Sequence, residues 1–523
     1  MRSRSRKILS RSLLAAVLVS SPLGAQATSD AEAIRSAAHT YRSTHEPAIL
    51  REFNDLLSIP NLASDNTNIR RNADRLVKML EHRGITARLL EVEGSPPAVL
   101  GVLNTPGATH TLVLYAHYDG QPVDPSQWVT PPWTPTLRSK SLADGGAPIA
   151  LPKDGDPPTS GEARLYARSS GDDKASIIAM LNAIDALREA KLSPSVNLKF
   201  FFEGEEEAGS PHLEKMLERY RDALRADAWL FCDGPNHQSG QQQVQLGVRG
   251  VTGVDITVFG PTRPLHSGHY GNWAPNPGAL IANLIASMRD DDGRIKVAHF
   301  YDDVRPISAS EKKAINAIPP VDVELRRSLG LAQTEANDAP LAERIMLPAL
   351  NVRGIQVGAV GDQAANAISS EARASIDFRL VPKQTPQRVH DLINAHIARQ
   401  GYFITSDSVT MAMRLAHPKV ARVRWSAGGY QATRASLEDP FARAVVRAVA
   451  DGLGKQPLLL PTMGGSGPLY LFEEVLHTTI IILPIANFDD NQHAANENLR
   501  IQNLWDGIEV YSGLIGRLGN YWK

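Results

Sequence analysis

The chain has 523 residues, 42% of them hydrophobic, with 55 basic against 56 acidic side chains. That length exceeds what one small core organises, so two domains are expected, and the balanced charge, with no basic run after the N-terminal segment, argues against nucleic acid or anionic membrane as the main partner. A single cysteine, Cys232, excludes an internal disulfide and a cysteine-rich zinc site, and its apolar setting reads as core.

At the N-terminus, Arg2, Arg4, Arg6, Lys7 and Arg11 precede the short apolar run Leu13–Val19 and the small-x-small segment Ala25-Gln-Ala27. This is the layout of a signal peptide over residues 1–27. The run is well short of the ~20 residues a bilayer span needs, so the expectation is cleavage and export to a periplasmic or extracellular location. From about Ala31 to Arg83 apolar residues such as Leu76, Val77 and Leu80 recur at helical spacing. Strands and helices then alternate: strand Thr111–Ala116, helix Lys174–Ala190, strand Asn197–Phe202, helix His212–Leu224 and strand Ala228–Asp233. That rhythm predicts an α/β fold, a mixed and mostly parallel sheet sandwiched by helices. The Gly-, Pro-, Asp- and Ser-rich stretch Leu137–Arg164 reads as a surface excursion.

From Val244 the texture changes. Val244–Phe259 and Ser370–Leu380 alternate, Pro275–Arg289 and Pro386–Arg399 have helical spacing, and a polar excursion spans Ser308–Ala342. After Gly428 come helix Pro440–Leu453, strand Thr479–Ile485 and a closing helix from Asn503. The expected organisation is a first sheet-bearing part over 28–247, an inserted smaller α+β domain over 248–428, and a return to the first domain over 429–523.

Four apolar strands end at groups that bind metals. His117 follows the first, the Glu203–Glu207 cluster the second, Asp233 the third, and the loop bearing His493 the fourth. Asp172 adds a fifth candidate at a helix start, where the helix dipole favours a carboxylate. Ligand crevices of open α/β sheets lie beyond the carboxyl ends of the strands. Taken singly, each group reads as an ordinary surface or turn residue. Their joint occurrence at one sheet edge reads as a metal site. In an extended segment Asp119 points the same way as His117 and can hydrogen-bond the imidazole nitrogen that does not bind metal.

The ordered set resembles the M20 family of co-catalytic zinc exopeptidases, especially its carnosinase-like dipeptidases and carboxypeptidase-type members. The resemblance rests on His117-Tyr-Asp119, Asp172-Asp-Lys174, Glu206-Glu-Ala-Gly-Ser210, Asp233 and His493-Ala-Ala-Asn-Glu497. It implies that Asp172 bridges two divalent ions, His117 and Asp233 completing one and Glu207 and His493 the other. The donors suit zinc, and also manganese or cobalt. It further implies Glu206 as general base, with Glu203 and Glu205 outside the motif, either in water or behind the ligands. Leu265-His266-Ser-Gly268 is similar to a segment whose histidine stabilises the oxyanion, in many members from a partner subunit. Arg379 is similar to an arginine that holds a substrate carboxylate, Asn366 to a polar residue that reaches across a homodimer, and Gly464-Gly465-Ser466 to a substrate-contacting loop.

Met463 stands where carnosinase-like relatives often carry an acid that could recognise an α-amino group. The resulting expectation is an exported di-metal hydrolase that cleaves dipeptides or peptide C-termini beside a free carboxylate. The alternatives are an N-acyl amino acid deacylase or desuccinylase, and, from a different class, a non-catalytic exported binding module.

Overall fold

A computed structural model describes residues 23–523, with side chains from Asp30 onward. The basic and apolar parts of the expected signal segment lie outside the described residues. Among the described residues, no helix is long and apolar enough to cross a membrane.

The site is carried by an eight-stranded sheet built from β1 (Thr86–Leu90), β2 (Ala98–Leu103), β3 (Thr111–His117), β4 (Asn197–Glu203), β5 (Ala228–Phe231), β6 (Gln243–Gln245), β7 (Leu458–Leu460) and β8 (Thr479–Ile482). Their order is β1-β2-β4-β3-β5-β8-β6-β7. The pairs β3–β4, β3–β5, β5–β8 and β6–β7 are parallel, and the other three are antiparallel. The sheet is therefore mixed and mostly parallel.

Alternation along these strands assigns the two faces. Leu112, Leu114, Ala116, Leu198, Phe200, Phe202 and Leu230 point into one buried cluster. That cluster is completed by α1 (Leu23–Leu57), α2 (Asn66–His82), α3 (Lys174–Glu189), α4 (Pro440–Leu453) and α5 (Ile501–Tyr521). Val113, Tyr115, Phe201, Trp229 and Phe231 point the other way and pack on Leu213, Leu217 and Phe472. Because both faces are covered, the central strands read as continuous apolar runs. Cys232 is buried in the first cluster.

The structure redraws several expected boundaries. The helix expected over His212–Leu224 is two short helices, Leu213–Arg219 and Arg221–Leu224, parted at Tyr220, whose hydroxyl donates to the Glu91 carbonyl at 3.0 Å. The strand expected to reach Asp233 stops at Phe231, and the one expected to reach Ile485 stops at Ile482. The alternating stretch Val244–Phe259 is divided among three strands: β6 stays in the large sheet, Gly247–Val248 pairs with Thr433–Arg434, and Gly250–Phe259 enters a second sheet. A Cβ on Gly247 would stand 2.0 Å from the Thr433 carbonyl oxygen, so the outgoing and returning chains can run side by side only with glycine there.

The second sheet has five strands in the order Ala349–Gln356, Glu371–Leu380, Gly250–Phe259, Val420–Trp425 and Phe403–Thr405. Helices Pro277–Met288 and Pro386–Arg399 cover one face and form a separate buried cluster with Ile256, Ile281, Ile376 and Ile393. The excursion Leu137–Arg164 is largely irregular, framed by the paired strands Thr136–Arg138 and Arg164–Tyr166. The excursion from Ser308 holds short helices, including Ala309–Asn316, Asp322–Ser328 and Leu341–Arg344.

Candidate metal centre and active site

Five donor side chains converge beyond the carboxyl ends of β3, β4, β5 and β8. They fall into two groups, His117 with Asp172 and Asp233, and Asp172 with Glu207 and His493, each with its ligand atoms within 4.8 Å of one another. Asp172 belongs to both. Its Oδ1 lies 2.7 Å from His117 Nε2, and its Oδ2 lies 3.2 Å from His493 Nε2. His493 Nε2 is also 3.2 Å from Glu207 Oε2, and His117 Nε2 is 4.0 Å from Asp233 Oδ1. Four of the five positions are the end of an apolar strand or the loop just past it, so the sheet itself sets their spacing.

The surroundings hold these groups in place. Asp119 Oδ1 is 3.3 Å from His117 Nδ1, and the same buried carboxylate accepts the Glu206 and Glu207 amides at 3.1 and 3.0 Å. One aspartate thus lies against a candidate histidine ligand and anchors the turn bearing Glu206 and Glu207, the placement from which a carboxylate fixes the ring orientation of a metal-binding imidazole. The loop carrying Asp172 is clamped by Glu497, which is fully buried. Its carboxylate accepts from Arg168 Nη1 at 2.7 Å and from the Ser169, Gly171 and Asp172 amides at 3.0 Å each. Behind it, the buried Lys174 ammonium donates to the Leu56 carbonyl and Asn72 Oδ1, and burial pushes its pKa down to about 7.

The electrostatics fit a cation site. Asp233 is pushed up to about 7 by burial and then by Asp172, and its Oδ1 is a buried atom with no hydrogen-bond partner. Burial would also raise Asp172, but His117 and His493 hold it well below the usual carboxylate range. Hydrogen bonds to Asp172 and Glu207 push His493 up to about 10. Glu206 is raised well above its ordinary value by burial and by Asp233 and Glu207, against His117. Three carboxylates, one of them with an orphaned buried oxygen, and two imidazoles suit two divalent ions of the zinc, manganese or cobalt type.

A cavity of about 260 Å³ opens at this centre, lined among others by Asp172, Glu206, Asp233, Met463, Ser466 and His493. Gly465 also lines it, and Arg379 reaches its edge by donating from Nη1 to Ser466 Oγ at 3.0 Å. His266 and Asn366 do not line it. They lie beside one another at a separate two-stranded ladder of Leu265–His266 with Ala367–Ile368, where Ser267 N donates to the Asn366 carbonyl and exposed His266 stacks on His269.

Of the two settings expected for Glu203 and Glu205, in water or behind the ligands, the first is ruled out. Glu203 and Glu205 are both buried, so neither stands in water. Glu203 accepts from the Tyr115 hydroxyl at 2.7 Å, and Glu205 accepts from the amide and ring Nδ1 of His212 at 2.9 Å each. Two contacts escaped sequence reasoning: Gln492 Nε2 donates to Asp172 Oδ2 and Gln121 Nε2 to Glu207 Oε2, both at 2.8 Å. Their closeness in sequence to His493 and Asp119 was the only available signal.

A model of peptidase family M20/M25/M40 matches residues 113–517, well over half of the chain. The chain belongs to this family. It is 26% identical over 500 residues to a Cys-Gly metallodipeptidase of Candida albicans, covering 91% of this chain and 95% of the relative. It is 25% identical over 430 residues to the Beta-Ala-His dipeptidase of Homo sapiens, covering 80% and 76% respectively. Among solved structures, an M20 family metallo-carboxypeptidase from Sulfolobus solfataricus superposes with a TM-score of 0.72 at 27% identity, covering 90% of this chain and 99% of that one. This M20 chain is a metallopeptidase with an α/β fold, and its residues present ligand groups for a dinuclear centre.

Proposed function

We propose that the protein is an exported di-metal dipeptidase that hydrolyses the amide bond preceding a residue with a free carboxylate. The observation that carries this reading is Asp172, shared between two ligand groups in a cavity that Glu206 also lines. The substrates named for the curated relatives, Beta-Ala-His and Cys-Gly, are small peptides ending in a carboxylate. When bound, a pair of divalent ions supplies Lewis-acid polarisation of a carbonyl and acidifies water at this point.

The remaining work falls to side chains. Glu206 takes the proton of the attacking water and returns it to the leaving nitrogen, as general acid–base catalysis requires. Asp119 keeps His117 oriented and holds Glu206 in place through its amide. Arg379, steadied by Ser466 and by Asp377 at 3.3 Å, presents a planar guanidinium for the substrate carboxylate. His266 and Asn366, set away from the cavity of their own chain, suit residues delivered to a partner subunit in a homodimer. The basic opening, apolar run and Ala25–Ala27 segment support export.

Met463 at the cavity wall favours one second reading, hydrolysis of N-acyl amino acids, because a thioether offers nothing to a charged α-amino group. The deciding experiment presents matched dipeptides and N-acetyl amino acids to protein reconstituted with zinc, manganese or cobalt, with products read by mass spectrometry. Turnover of dipeptides alone supports the first reading, of acyl compounds alone the second, and turnover of neither defeats both. Sedimentation of the active protein as a monomer would defeat the dimer, and an intact N-terminus on protein recovered from the native cell would defeat export with cleavage.

A further inference from the structure

Gln492 is the residue before His493 and lines the metal cavity with it. Its backbone amide donates to Asp490 Oδ1 at 2.9 Å, and its side-chain Nε2 donates to Asp172 Oδ2 at 2.8 Å. Chemistry fixes which way the carboxamide points. An ionised carboxylate only accepts, so the NH2 end of the glutamine faces Asp172 and the oxygen faces away from it. A carboxylate oxygen has two lone pairs, so Asp172 Oδ2 can keep this bond and still bind an ion. Gln492 Oε1 accepts from no group among the described residues. The half-buried side chain thus presents a steadied, neutral acceptor beside the carboxylate that both ligand groups share.

The rest of the cavity offers a substrate amine no free carboxylate. Among the described residues lining it the acids are Asp172, Glu206 and Asp233, which the two ligand groups and the proposed base account for. Phe231, Val248, Met463, Leu469 and Ile482 supply apolar wall. An ammonium brought against such a wall loses its water without gaining an anion, and that is costly. An uncharged N–H needs only one acceptor.

We infer that Gln492 Oε1 accepts the N–H on the carbon next to the scissile carbonyl, and that the substrate presents this nitrogen as an uncharged acylamino group. The role rests on hydrolysis of the amide bond before a free carboxylate and deepens that reading by naming the other half of the substrate, an N-blocked peptide. The placement follows from bonding. The carbonyl attacked in the proposed reaction lies at the shared ligand Asp172, and the nitrogen in question is two bonds from its carbon. Gln492 is the amide bonded to Asp172. It is therefore a specificity-determining residue, and simple N-acyl amino acids have no such nitrogen to offer it.

The test compares kcat/KM of the metal-loaded enzyme on N-formyl-Ala-Leu, Ala-Leu and propionyl-leucine, each of which releases leucine. Propionyl-leucine is Ala-Leu without its nitrogen. N-formyl-Ala-Leu should exceed propionyl-leucine by roughly three- to tenfold, the worth of one neutral hydrogen bond, and should be cleaved at least as fast as Ala-Leu. Whatever Gln492→Leu does to all three rates through Asp172, the formyl-to-propionyl ratio should drop to about one. A ratio that survives in Gln492→Leu means the glutamine only steadies Asp172 and overturns the inference. A wild-type ratio near one, or faster cleavage of Ala-Leu than of its formyl derivative, also overturns it, and either leaves peptide hydrolysis standing. If none of the three is cleaved, the functional reading fails instead. Calorimetric binding of N-formyl-Ala-Leu against propionyl-leucine to the metal-loaded protein then decides the role of Gln492, and equal affinities overturn it.

Discussion

Glu203 and Glu206 are three positions apart and meet opposite requirements. Glu206 lines the metal cavity, so replacing it with glutamine keeps its shape and removes the proton transfer proposed for it. The expected outcome is a fall in kcat of about 10²- to 10⁴-fold with metal content unchanged, checked by steady-state kinetics beside elemental analysis. Glu203 is buried against Tyr115, and burial pushes its carboxyl up to about 7. Between about 4.5 and 7 the folded protein keeps a proton that the unfolded chain has already lost. This group therefore stabilises the fold fully below that window, and its contribution is lost as pH rises through about 7. The Glu203→Gln variant should show a flatter decline of urea stability over that range than the metal-free parent. Parallel stability profiles would refute the assignment.

At the scale of elements, the centre is a meeting of strand ends with two loops that would wander if left alone. The turn after β4 is tied by Asp119, and the loop before α3 is tied by Glu497. Asp119→Ala removes the carboxylate 3.3 Å from His117 Nδ1 and frees two amides of the Glu206–Glu207 turn, so metal affinity should drop by about 10- to 100-fold. Competition with a chromophoric chelator reads this directly. Glu497→Ala leaves Arg168, 2% exposed, as an uncompensated buried charge, a loss of about 3–5 kcal/mol where such a pair is broken. Chemical denaturation of the metal-free protein measures it. The His212–Leu224 stretch shows how an element can be misjudged: its periodicity is helical throughout, yet two helices part at Tyr220, whose hydroxyl bonds to Glu91 just past β1.

For the whole molecule, the metal centre joins β3, the α3 entry, β4, β5 and the loop beyond β8, segments separated by more than 370 positions along the chain. Ions that bind only this folded arrangement stabilise it, by about 2.7 kcal/mol at a hundred-fold excess over Kd. Chelation should lower the melting temperature, and restoring metal should recover it; scanning calorimetry with and without chelator checks both. An unchanged melt would mean that the five groups do not share ions in the folded state.

Much was legible in the residues themselves. Apolar runs ending at His117, the Glu203–Glu207 cluster, Asp233 and the His493 loop mark strands and their rims, because a covered parallel sheet demands continuous hydrophobicity and places its loops at one edge. The order of those motifs was specific enough to suggest a family. The roles of neighbours were not legible. Burial of Glu203 against Tyr115, the four-donor grip of Glu497 and the gift of two amides to Asp119 all join residues far apart in sequence, and pattern carries no distance. Local chemistry and periodicity determined which elements form and which side chains can hold a metal. Only the tertiary structure decided which charges lose their water and which partners they find, since desolvation and pairing depend on what the rest of the chain brings alongside.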